Sequence, residues 1–322
     1  MAVVITFMAC GMRGRLSALV CVAVLHQTVS IDSPVIGVMA QPALAPGQQY
    51  LAASYVKFVE MAGGRAVPLS YAMDNATSLA LYGQLNGVLF PGGASALPDA
   101  ARAAVAYSEA AARRGEVFPV WGTCLGFEWL MEIVGGPGVV TPGFNASNVS
   151  LPLALTPAAA TSKMYGGAAK EGLRASLASE ALALNNHHMG VTPGAFRDSA
   201  ALSATFDVLS TNVDGGGEPF VSSAESKTGH LFAVQWHPEK NAFEHGERDG
   251  LPFEAINHGA DAVAATAALA TTFVDVARRS TQTFPGRDAF LAYRCAKSDA
   301  AYPAFQEVYF FPGNWTGAVP AC

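Results

Sequence analysis

Charge is scarce in this chain. Only 14% of its 322 residues are Asp, Glu, Lys or Arg, and Lys and Arg form no run. That excludes the basic face a nucleic-acid partner needs. The net charge of -6 is modest, so an acidic substrate would have to be met by a local basic site rather than by a global field. No Cys, His and carboxylate spacing completes a zinc set, because the adjacent His187 and His188 point in different directions on most backbones. No metal and no cofactor is expected. A phosphate loop is missing, since Pro91-Gly92-Gly93 has neither the Lys nor the spacing of one. Long apolar runs are absent after the first 30 residues, so no membrane span is expected beyond them. Low charge with 51% hydrophobic residues points to a filled core rather than disorder, in one large α/β domain or two small ones.

Residues 1–30 read as a secretory leader. Arg13 and Arg15 precede the apolar stretch Leu16–Leu25, broken only by Ser17, and polar Gln27, Thr28 and Ser30 follow. Met12 is an alternative start. The apolar stretch is too short to span a bilayer comfortably, which favours removal over anchoring. Four sequons fit the same compartment, at Asn75, Asn145, Asn148 and Asn314. Of five cysteines, Cys10 and Cys21 lie in the leader. Cys124, Cys295 and Cys322 remain, an odd number for a secreted chain. Pairing of Cys295 with Cys322 would leave Cys124 free, and the alternative is three reduced thiols. The expected location is outside the cell or in a vacuole or lysosome.

Strand and helix signals alternate from Pro34 onward. Val35–Met39, Ala66–Leu69, Gly87–Phe90 and Val117–Trp121 read as buried strands, and Pro68 favours an edge position for the second. Leu51, Tyr55, Phe58, Val59 and Ala62 recur at helical spacing, and Gly63-Gly64 stops that helix. Ala-rich helices are expected over about 98–114 and 260–279. Further strands are expected at 149–155, 181–184, 206–209, 220–222 and 231–236, with a turn at Gly215-Gly216-Gly217. The tail after Thr281 shows no pattern. Alternation of this kind implies a parallel sheet covered on both faces, with the ligand beyond the carboxyl ends of its strands. With no repeat or linker in view, residues 31–322 are expected to form a single domain.

Chemistry concentrates at Gly122-Thr123-Cys124-Leu125-Gly126, where a strand runs into a helix. Small flanking residues permit the sharp turn of a nucleophile elbow, which presents the side chain and aims a helix N-terminus at it. That dipole end favours a thiolate, and the Leu125 N–H can donate to an oxyanion. The competing reading is a buried structural cysteine. His237 directly follows the apolar run Leu231–Trp236, so it shares the strand-end level with Cys124. Glu239, two residues on, can orient its imidazole. Gly92 and Gly93 let backbone N–H groups approach a substrate and offer the other oxyanion donor, the alternative being an ordinary turn.

Phe90-Pro91-Gly92-Gly93, Phe118 to Glu128 and Val234-Gln235-Trp236-His237-Pro238-Glu239-Lys240 resemble the signatures of the gamma-glutamyl hydrolases. Tyr50 to Lys57 resembles that family's first helix. The likeness extends from about Pro34 to Arg279. It implies a flavodoxin-like three-layer α/β/α sandwich with a mostly parallel central sheet. It also implies a cysteine hydrolase acting on folate poly-gamma-glutamate, with Cys124 as nucleophile, His237 as proton shuttle and Glu239 third. By the same resemblance His187 is a second active-site histidine, and Tyr50 and Glu128 belong to the substrate cleft. The sequence departs from the family at Phe243-Glu244-His245, where His245 replaces a Trp, and at Glu247 to Phe253. A glutamine amidotransferase-type glutaminase and a non-catalytic folate-binding relative are the alternatives. As partners the resemblance leaves the substrate and, besides a monomer, a homodimer.

Overall fold

The computed structural model describes residues 31–285, 297–298 and 305–316. Residues 1–30, where a leader is expected, and Cys295 and Cys322 lie outside them.

Eight strands make the central sheet: β1 (Val35–Met39), β2 (Arg65–Leu69), β3 (Gly87–Phe90), β4 (Val120–Thr123), β5 (Ala154–Leu155), β6 (Phe206–Val213), β7 (Pro219–Ser226) and β8 (Leu231–Val234). Their spatial order is β2-β1-β3-β4-β8-β7-β6-β5. The first five are mutually parallel and the last three add on antiparallel. The parallel part has the flavodoxin-like order, so the sandwich and mostly parallel sheet are as expected. Pro68 lies on β2, the edge strand.

Both sheet faces are covered, which is why the parallel strands read as unbroken apolar runs. Side chains alternate between two cores. Ile36, Val38, Leu89, Trp121 and Phe232 face one, with helices Ala53–Met61 and Ala260–Ala277. Val35, Val67, Val88, Val120 and Ala233 face the other, with helices Asp99–Arg113 and Leu125–Gly135.

Several expectations need correction. Leu51 is not helical. Gln48–Ala52 is a strand paired over five residues with Val308–Pro312, inside the tail that had shown no pattern. Ala52 is extended, the Ala53 N–H donates to the Glu307 carbonyl, and the helix starts only there. This non-local pairing overrides the helical spacing. The strands expected at 149–155 and 181–184 belong mainly to a ribbon, Thr141–Leu151 with Ala183–Gly190. Its polar stretch hid it, since Asn185 and His187 point inward while Asn186 and His188 point outward. Finally, Ala260–Ala277 is long and apolar enough to cross a membrane by length and composition. Ten of its side chains are buried in the fold, as in a core helix.

Candidate active site

The turn from β4 into helix Leu125–Gly135 puts Cys124 at φ 52°, ψ -106°. This conformation is unusual for a residue with a Cβ, and such strain costs on the order of 1–3 kcal/mol. Two backbone bonds hold it, from the Cys124 N–H to the Val234 carbonyl (2.8 Å) and from the Glu128 N–H to the Cys124 carbonyl (3.0 Å). Gly126 is obligatory, because a Cβ there would sit 2.3 Å from the Phe90 carbonyl oxygen. The helix therefore lies directly against the end of β3, next to Pro91-Gly92-Gly93.

His237 and Cys124 flank Gly92. A Cβ on Gly92 would lie 2.8 Å from His237 Cε1 and 3.3 Å from the Cys124 Cβ. His237 Nδ1 lies 2.8 Å from Glu239 Oε1, and both side chains are buried. Cys124, His237 and Glu239 are thus brought together at the carboxyl ends of β4 and β8. Oxyanion donation from Gly92 is corrected: its N–H already donates to the Tyr55 hydroxyl at 2.8 Å. Gly93, beside Cys124 in the cleft, is the glycine left for that role.

The thiol also departs from expectation. Cys124 is 5% exposed, not in the open. Burial, and then the nearby Glu128 carboxylate, push its ionisation up. Lys240 and the Leu125 N–H act in the opposite direction without prevailing. The helix terminus alone does not make a resting thiolate here.

Cys124 lies where two open clefts meet. One, about 460 Å³, is lined by Gln41, Tyr50, Tyr71, Asn186, Lys240 and Phe305 among others. The other, about 490 Å³, carries Glu128, Trp129, Glu132, His187 and His188. Tyr50 packs on Phe305, the ring centroids 6.4 Å apart. Glu128 accepts from Gln235 Nε2 at 3.1 Å, and burial raises its carboxyl to about 7. His187 is buried against Phe220, its Nδ1 2.7 Å from the Met189 carbonyl. Burial lowers it to about 4, so it is neutral above that. It lines the cleft with Cys124 but makes no hydrogen bond to His237 or Glu239. Among the described residues, no group of three or more His, Cys, Asp and Glu side chains could hold a metal ion.

The residue motifs had not singled out Tyr55, Lys240 or Glu254. Lys240 Nζ meets Glu254 Oε2 at 2.5 Å, both buried, and Asn186 Nδ2 donates to Glu254 Oε1 at 2.6 Å. Glu254 could not be found from motif spacing, because it directly follows Glu247 to Phe253, where the sequence leaves the family pattern. His245, the other departure, stacks on His258 with centroids 4.1 Å apart.

Comparison with known proteins matches residues 30–239 to the peptidase C26 family. Gamma-glutamyl hydrolase of Mus musculus is 37% identical over 293 residues, covering 87% of this chain and 90% of that one. Gamma-glutamyl hydrolase B of Dictyostelium discoideum is 34% identical, covering 79% and 74%. The Homo sapiens gamma-glutamyl hydrolase is 36% identical, covering 78% and 80%.

Proposed function

The chain belongs to the peptidase C26 family, and from that membership we propose that it hydrolyses the gamma-glutamyl bonds of folate polyglutamates through a thioester on Cys124. The observation that carries the mechanism is the His237–Glu239 pair beside a cysteine held at positive φ. Burial pushes the thiol's pKa up, so His237 takes its proton as sulfur attacks the gamma-amide carbon. The Leu125 and Gly93 N–H groups receive the developing oxyanion. The C–N bond breaks, and His237 passes its proton to the leaving amine. Water, deprotonated by His237, then attacks the thioester. The C–S bond breaks, the gamma-carboxylate departs and the thiol is re-formed. Glu239 orients the imidazole and stabilises its charged form.

The same reading sends the protein through the secretory pathway, with residues 1–30 removed. In its support, all four sequon asparagines are exposed.

The test is product analysis on a folate pentaglutamate, with glutamine and an alpha-linked diglutamate as competitors. Shorter folates and gamma-linked glutamates are expected, and none from Cys124→Ala. Selection must come from groups that place the carbonyl, because a thiolate attacks any well-placed amide. A higher kcat/KM for glutamine would sink the reading in favour of a glutaminase.

A further inference from the structure

Tyr55 is 1% exposed, lies beneath the site and belongs to a helix that supplies no reacting group. Its hydroxyl accepts from the Gly92 N–H at 2.8 Å and sits 3.5 Å from His237 Nδ1. His237 Nδ1 is committed to Glu239 Oε1 at 2.8 Å. The phenol is held neutral, first by burial and then by the Glu239 charge. A single hydroxyl therefore touches the glycine loop on one side and the base on the other. A buried Tyr could have satisfied its hydroxyl on any carbonyl nearby. Tyr82, for comparison, donates to the Ala100 carbonyl.

We propose that Tyr55 is a positioning residue that fixes the oxyanion loop relative to the His237–Glu239 pair. By holding the Gly92 peptide it sets the orientation of the next one, so that the Gly93 N–H is presented to the reacting carbonyl. By lying against His237 Nδ1 it keeps the imidazole aligned with Glu239. Both effects act in the transition state, where charge develops on the carbonyl oxygen and on the imidazole, and neither adds a contact to the substrate. The signature is therefore a loss in kcat with KM retained.

This inference rests on the thioester reading above, so Cys124→Ala is run alongside. Tyr55→Phe keeps the ring and removes the hydroxyl. Its kcat on a folate polyglutamate is expected to fall ~10- to 100-fold, the scale of a slightly misplaced catalytic group, with KM within about threefold. Paired with Glu239→Gln, the losses should fall well short of multiplying, because the two residues serve one arrangement. Should Tyr55→Phe fold poorly, 3-fluorotyrosine at position 55 keeps the shape while changing the hydroxyl's hydrogen bonding, and kcat should shift with Tm and KM unchanged. Activity surviving in Cys124→Ala would remove the thioester reading and Tyr55's role with it. An inactive Cys124→Ala beside a Tyr55→Phe with parental kcat would overturn the Tyr55 assignment alone. Equal losses in kcat, substrate affinity and Tm would reduce Tyr55 to a packing residue.

Discussion

Lys240 Nζ lies 2.5 Å from Glu254 Oε2 at the cleft wall, and both side chains are at most 3% exposed. Lys240 also sits 4.9 Å from the centre of the Phe305 ring. Coulomb attraction to Lys240, and then to His237, holds Glu254 below the usual carboxylate range against the effect of burial. The pair joins the segment after His237 to the segment that carries Glu254, and so closes one side of the site.

Breaking this pair from one side should be costly. Lys240→Met leaves a buried, unmatched carboxylate and is expected to destabilise by ~3–5 kcal/mol. Lys240→Met with Glu254→Leu removes both charges and should recover most of that loss. Urea unfolding of the parent, both single variants and the double variant measures the difference. A double variant no better than Lys240→Met would show that the charges do not act as a pair.

The three histidines around the cleft should separate cleanly. His237→Asn removes the proposed proton shuttle, and kcat should fall by ~10²-fold or more. His188 is exposed and, among the described residues, bonds only Ser147 and the Phe144 carbonyl, so His188→Asn should leave turnover near the parent value. His187→Asn is expected to fall between them, because the ring lines the cleft without bonding the base. Equal, small effects of His237→Asn and His188→Asn would take His237 out of the mechanism.

The parallel core was readable from the chain because buried strands leave a dense signal. Val35–Met39 and Gly87–Phe90 are short apolar runs bounded by loop residues. The elbow was equally plain, since Gly122, Cys124 and Gly126 have to be close in sequence to make the turn. What escaped were features made by distant segments. Gln48–Ala52 is a strand because Val308–Pro312 pairs with it. Tyr55 sits at a helical position like any core residue, and only the fold shows its hydroxyl against Gly92. The buried thiol escaped as well, because its ionisation depends on neighbours such as Lys240 and Glu128 that surround it only after folding.

The sequons should not be used equally. Asn75 and Asn314 are exposed, and among the described residues no hydrogen bond engages their side chains. Asn148 has φ 53°, and its side-chain oxygen accepts from the Ala255 N–H at 2.5 Å. A glycan there would have to be carried by an amide already fixed to a neighbouring segment. Peptide mapping of the protein from a secreting host is expected to find Asn75 and Asn314 modified more fully than Asn148, and no peptide from residues 1–30. An intact leader with four bare asparagines would overturn the secretory assignment.

The last prediction concerns two groups in one cleft that oppose each other with pH. Glu128 is raised from 4.5 to about 7 by burial, with its bond from Gln235 acting the other way. The folded state therefore binds the proton more tightly, and this group's contribution to stability falls as pH rises from 4.5 to about 7. His187 is lowered from 6.5 to about 4, again chiefly by burial. The folded state resists its protonation, so its contribution is lost as pH falls from 6.5 to about 4. Each term is worth ~3 kcal/mol at most. Across the shared window, 4.5 to 6.5, they nearly cancel. Glu128→Gln removes one side. Its stability should climb more steeply with pH than the parent's through that window, and it should exceed the parent's by ~1–3 kcal/mol at pH 8, where the parent carries a buried carboxylate. The same charge is one of the groups that push the Cys124 thiol up. Without it a larger thiolate fraction forms at a given pH, so iodoacetamide should alkylate Cys124 several-fold faster at pH 8. Urea titrations at pH 5 and pH 8, with alkylation rates on the same samples, measure both effects. If neither the stability slope nor the alkylation rate changed, Glu128 would not be a carboxylate in contact with the nucleophile's field.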